Sequence, residues 1–157
     1  MKDDKKKSAS GGNSSIPEGM QSVTPYFICN EAANLISFIE KTFGGNVMAR
    51  LDGKDDKVMH ATMTIGESII MIADASEKYA AMPIMVYVYV DDVDAVYKKA
   101  IAAKGVSLRE PVDEFYGDRS AGIQDPWGNQ WWIATHVEDI SNEEIEKRAE
   151  EFQKQEA

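Results

Sequence analysis

Few side chains in this sequence can do acid–base or ligand chemistry. There are two histidines, His60 and His136. His60 lies inside a β-type run, flanked by Met59 and Ala61. An imidazole changes charge near neutral pH, so His60 can act as a general base where a carboxylate orients it. A lone strand histidine is more often structural or pocket-lining. His136 follows the last apolar run, and a structural role is expected there. The run Tyr116-Gly117-Asp118-Arg119 is the second candidate. Arg119 has the planar fork that clamps a carboxylate or phosphate, and Tyr116 can donate a hydrogen bond. The competing and favoured reading makes Gly117 a turn and Asp118 with Arg119 a local ion pair.

The aromatic residues form a third group. Alternation along a strand sends Trp131 and Trp132 to opposite faces, and puts Met85, Tyr87 and Tyr89 on one face. Such a wall suits a flat or cationic organic molecule. It equally suits a filled core. The single cysteine, Cys29, allows no intrachain disulfide and no thiol pair for zinc. It fits a reducing compartment, and a cytoplasmic protein is expected. Ser68 and Ser120 have no recognisable nucleophile setting, and no P-loop or dinucleotide glycine fingerprint is present.

Bulk properties narrow the class. A chain of 157 residues, 43% hydrophobic, suits one domain with a real core. Its formal net charge of -10 argues against nucleic acid, whose phosphates need a basic footprint. It argues equally against an anionic membrane surface. No apolar segment follows the N-terminal lysines as in a secretory signal, and the apolar stretch 82–90 is too short to span a bilayer as a helix. Residues 1–19, rich in Lys, Ser and Gly, read as a flexible tail.

The elements that must position these side chains come in two similar sets. Residues 23–29 predict a strand, with Asn30 as N-cap of a helix carrying Leu35, Ile36, Ile39 and Phe43. Gly44-Gly45 stops it. Strands are predicted over 47–51, 57–65 and 68–73, with hairpin turns at Asp52-Gly53 and Gly66-Glu67. The order then recurs. It runs as a strand over 84–90, a helix capped by Asp91 or Asp92, a stop at Gly105, then strands over 106–109, 119–124 and 130–135. Asn30 to Asp92, Gly44 to Gly105 and Gly66 to Gly128 are offset by about 62 residues. A capping box, Ser141 with Glu144, opens a last helix over 141–157. The expected fold is α+β. Two βαβββ modules, 20–75 and 83–137, form one domain over 20–140 with a cupped mixed sheet, and a C-terminal helix follows.

These segments resemble a known family. The resemblance rests on Ile16-Pro17-Glu18-Gly19, Val23-Thr24-Pro25-Tyr26, Met59-His60-Ala61, the strand from Tyr87 to Val93, Tyr116-Gly117-Asp118-Arg119, Asp125-Pro126-Trp127-Gly128 and the ending from Trp132 to Asp139. Together they resemble the vicinal oxygen chelate superfamily of glyoxalase I, bleomycin-resistance proteins and extradiol dioxygenases, and within it the PhnB-like branch. The resemblance implies paired βαβββ modules around a cup and usually a homodimer, in several members with a cavity shared between subunits. In the family's enzymes the cup holds a divalent metal on four positions. At the 62-residue offset these positions fall on Val23, Ile70, Met85 and Trp132, which form no plausible site for Zn, Fe, Mn or Ni. No cofactor is therefore expected. The expected function is binding of a small organic molecule in a metal-free cup lined by His60, Met85, Tyr87, Tyr116, Arg119 and Trp132. The alternative is a lyase, isomerase or transferase with a displaced site at His60, Tyr116 and Arg119.

Overall fold

The computed structural model describes residues 14–157. Most of the tail expected over 1–19 lies outside the described residues, and 14–19 carry no helix or strand. Module one runs β1 (Tyr26–Cys29), α1 (Ala32–Phe43), β2 (Asn46–Asp52), β3 (Val58–Ile65) and β4 (Ser68–Asp74). Module two repeats it as β5 (Met85–Tyr89), α2 (Val93–Ala102), β6 (Val106–Asp113), β7 (Asp118–Gln124) and β8 (Gln130–His136). Each module folds into its own four-stranded mixed sheet, ordered β1-β4-β3-β2 and β5-β8-β7-β6, with the first strand parallel to the last. A helix, α3 (Asn142–Glu156), closes the chain. The expected α+β architecture of two βαβββ modules plus a C-terminal helix is therefore present.

The repeat differs from its predicted register by one residue. Tyr26 pairs with Met71, and Tyr87 with Trp132, which sets an offset of 61 for the first and last strands of each module. The helix caps agree. Asp92 accepts a bond from the Ala95 N–H, and its counterpart is Glu31, not Asn30. Glu31 has a left-handed backbone and no capping side-chain bond. Asp74, reaching over from β4, accepts from the Ala32 N–H at 3.1 Å and so replaces the missing cap. Residues 23–25 are not in the first strand, and Val23 is exposed.

The two sheets share one core. The inward faces of β1 and β4 (Phe27, Ile70, Ile72) and of β8 (Trp131, Ile133) join Leu35, Ile36, Phe38 and Ile39 of α1. Trp131 is wholly buried and stacks on Phe27, with ring centroids 5.2 Å apart and planes 11° apart. Phe43 lies 4.8 Å from the same ring. The backs of the modules are thus joined through aromatic contacts and helix packing, and their other faces turn outward.

Helix α3 packs on its own module. Phe152 contacts Phe115 at 5.3 Å, and Arg148 bonds the Phe115 carbonyl and the Glu138 carboxylate. Ser141 caps the Glu144 N–H as expected, but the Glu144 carboxylate binds Arg148. Beneath it Gly117 is required. Its φ is +94°, and a Cβ there would stand 2.3 Å from the Glu138 carbonyl oxygen.

Candidate functional site

The outward faces are two separate cups. On module one, alternation from the register puts Tyr26 and Ile28 of β1, His60 and Thr62 of β3, and Met71 and Ala73 of β4 on one surface. The Tyr26 hydroxyl and His60 Nδ1 are 3.0 Å apart, and His60 Nε2 lies 3.1 Å from the Thr62 hydroxyl. Segment 75–83 runs beside this surface, and Met82 bridges Ile28. A cavity of about 740 Å³ opens beside it, and its lining includes Tyr26, Ile28, Met59, Asp74, Glu77 and Tyr79 but not His60.

On module two the same alternation collects Met85, Tyr87, Tyr89, Trp132 and His136. Gly122 lies opposite Trp132, where a Cβ would come within 2.8 Å of the indole, so glycine makes room for the ring. The Arg109 guanidinium sits 5.1 Å from the centre of that ring and bonds Glu114 and the Ser120 hydroxyl. Arg109 and Glu114 were missed by sequence reasoning. The available signal was Arg109 at the end of the predicted 106–109 strand, which the structure extends to Asp113.

The floor of this cup is a buried carboxylate. Asp118 is 3% exposed. Its Oδ2 accepts from the Tyr89 hydroxyl at 2.9 Å and the Tyr87 hydroxyl at 3.3 Å, while Oδ1 meets His136 Nδ1 at 2.9 Å. The bond to Asp118 raises the Tyr89 phenol above its ordinary value. Burial, then the neighbouring Tyr116 hydroxyl, does the same for Tyr87.

Arg119 faces the other way. Its Nε and Nη2 form a two-pronged bond to Asp94 of α2, at 2.8 and 3.0 Å, and Nη1 reaches Asp113. That bond holds the Asp94 carboxyl below the usual carboxylate range. The expected Asp118–Arg119 pair is absent because adjacent strand residues point to opposite faces. His60 and Arg119 do not converge. They sit on different modules, one on a cup and the other on a helix side.

At the observed offset of 61, the metal positions that the resemblance implies pair Met85 with Thr24 and Trp132 with Met71. Val23 lies outside the strand and Ile70 is buried on the helix side, whereas Met85 and Trp132 do face the cup. The corrected set does not fit a divalent metal. It offers no imidazole or carboxylate. Among the described residues no three His, Cys, Asp or Glu side chains are grouped to hold a metal. Cys29 supplies no nucleophile, since burial pushes its thiol up to about 12.

One consequence concerns pH. Asp118 first, then Asp139, bonds His136 and raises its pKa above the ordinary imidazole value. A pKa higher in the folded than in the unfolded chain gives stability that is complete below about pH 6.5 and lost as pH rises through the folded value. The thermal midpoint should therefore fall as pH rises above about 6.5, and His136→Gln should flatten that fall. Thermal denaturation of both proteins above that pH checks it, and identical slopes would remove His136 as the cause.

Comparison with known proteins adds sequence and structural likeness. A family model described as "Glyoxalase/Bleomycin resistance protein/Dioxygenase superfamily" matches residues 21–133. An uncharacterised protein of Mycobacterium bovis is 26% identical over 135 residues, covering 79% of this chain and 89% of that protein. Among solved structures, TioX from Micromonospora sp. ML1 superposes with a TM-score of 0.60 at 20% identity, covering 73% of this chain and 99% of TioX. A PhnB protein from Bacillus cereus gives 0.57 at 19% identity, covering 73% and 99%. At such identities these structures establish a shared fold. No helix among the described residues is long and apolar enough to cross a membrane.

Proposed function

The chain belongs to the glyoxalase/bleomycin resistance protein/dioxygenase superfamily, and on that footing we propose that it binds a small organic molecule in a metal-free cup completed by a second copy of the chain. The observation that carries this reading is what the cups leave uncovered. On module two's cup Met85 and Tyr89 are 66% and 63% exposed and Tyr87 stands open beside them, and on module one's cup Tyr26 is exposed. Apolar surface of this kind on a concave face calls for a partner or a ligand. Trp132 and the tyrosines offer ring faces, and Arg109 and Ser120 add polar anchors. Of the residues expected to touch a ligand, Met85, Tyr87 and Trp132 belong to module two's cup, with Tyr116 beside Tyr87, and His60 to module one's. Arg119 is left out, because both faces of its fork are engaged. The net charge leaves nucleic acid and anionic membranes out as partners, and the single buried cysteine fits the cytoplasm. The likeness to the PhnB protein supports placing the chain in that branch.

The test combines assembly, metal and ligand. Sedimentation equilibrium should show a dimer at micromolar concentration. Met85→Glu, which puts a charge on an exposed apolar wall, should shift it to monomer. Protein purified without chelator should contain no stoichiometric Mn, Ni, Zn or Fe by elemental analysis. A panel of aromatic compounds should include some that quench tryptophan fluorescence in the chain and fail to do so in Trp132→Phe. A monomer, a stoichiometric metal, or a panel with no response would each count against the corresponding part.

A further inference from the structure

On the side of the molecule away from the cups, a cleft of about 590 Å³ lies between α1, α2 and the 125–129 loop. Its lining is unusual for a chain of net charge -10. Lys41, Lys99 and Lys104 all face it, and no Asp or Glu does. Among the described residues none of these three lysines takes part in an ion pair. Two of them have an ordinary explanation. Lys41 and Lys99 sit in the last turns of α1 and α2, where a cation offsets the partial negative charge of a helix end. That charge is about half a unit per helix, so two ends balance about one of the three lysines. The cleft keeps a surplus of positive charge.

Lys104 is harder to explain by helix stability. It follows α2 in a left-handed conformation, φ +75°, where glycine or asparagine is ordinary. A long side chain stands there at a conformational cost, and it lines the cleft.

The aromatic wall is rigidly built. The Asp125 carboxylate is buried and accepts four bonds, from the backbone N–H groups of Trp127 and Asn129, the Asn129 amide and the Trp131 indole, all at 2.9–3.0 Å. This holds the loop so that Trp127 meets Phe38 edge-on, with centroids 6.2 Å apart, at the cleft. A fixed indole beside surplus cations recognises a ring joined to an anion.

We propose that this cleft is a second ligand site, for a small molecule in which a planar aromatic ring carries a phosphate or carboxylate. It is independent of the cups and of the dimer. The probes are 1-naphthyl phosphate, 2-naphthoate and neutral 1-naphthol, titrated into ¹⁵N-labelled chain while the three indole N–H resonances are followed. Trp127→Phe assigns its peak. The phosphate or the carboxylate should move the Trp127 resonance saturably, and whichever binds more tightly names the anion. 1-Naphthol should bind at least about tenfold more weakly. Lys99→Glu with Lys104→Glu, both exposed and hence compatible with folding, should weaken the anion at least about tenfold. Tyr87→Phe, in the cup, should leave it unchanged. Equal binding of 1-naphthol, undiminished affinity in the double variant, or anion-induced shifts confined to the Trp132 resonance would overturn the proposal. Shifts confined to Trp132 would leave the cup reading standing.

Discussion

Trp131→Ala is expected to lower folding stability by about 3–5 kcal/mol, the usual cost of emptying a fully buried aromatic site. The ring is wholly buried and touches aromatic side chains of both β1 and α1, so its removal opens a hole between the modules. The indole N–H also donates to Asp125 at 2.9 Å, and that bond goes with it. Urea denaturation followed by circular dichroism measures the effect. Trp131→Phe should cost less, because a ring remains against Phe27. Because the core is shared, both modules should still unfold in one transition. A loss below about 1 kcal/mol would mean that the inter-module core collapses around the gap.

Asp118→Ala carries the second large effect. The carboxylate is the common acceptor for Tyr87, Tyr89 and His136. Hydrogen bonds to a charged group contribute about 1.5–3 kcal/mol each, and the three donors are partly open to water, which replaces some of what is lost. A net loss of about 2–4 kcal/mol is expected. Asp118→Asn keeps an acceptor and should lose less. A second readout separates this cluster from simple packing. Since the Asp118 bond raises the Tyr89 phenol above its ordinary value, both variants should lower the Tyr89 pKa in an ultraviolet phenolate titration. An unchanged titration would show that burial alone governs Tyr89. Ligand affinity in the cup should fall as well, since the two tyrosines lose their fixed orientation.

These effects separate what could be read early from what could not. Local chemistry was legible. Gly44 and Gly66 have positive φ where a helix stop and a tight turn were expected, and Gly128 has it in the longer 125–129 loop. Asp92 and Ser141 cap the helices assigned to them. Alternation correctly separated Trp131 from Trp132 and grouped Met85, Tyr87 and Tyr89. The candidate site was less legible. Caps and turns locate an element to within a residue or two, whereas the face of a strand depends on parity. An offset of 62 in place of 61 was therefore enough to name Ile70, which is buried, instead of Met71.

The sequence by itself determined the class of fold, the two-module repeat and the family, because these depend on patterns a few residues long. Neither register puts an imidazole or carboxylate at the positions where the resemblance implies metal donors. Only the tertiary structure decided partners. Arg119 goes to Asp94 on a helix, Asp118 goes to two tyrosines and a histidine, and Arg109 lies over Trp132. Each such choice joins residues distant in the chain, and it is made by which sheet face a side chain occupies once the strands have paired. That is why the histidine, tyrosine and arginine that first drew attention end in three different surroundings.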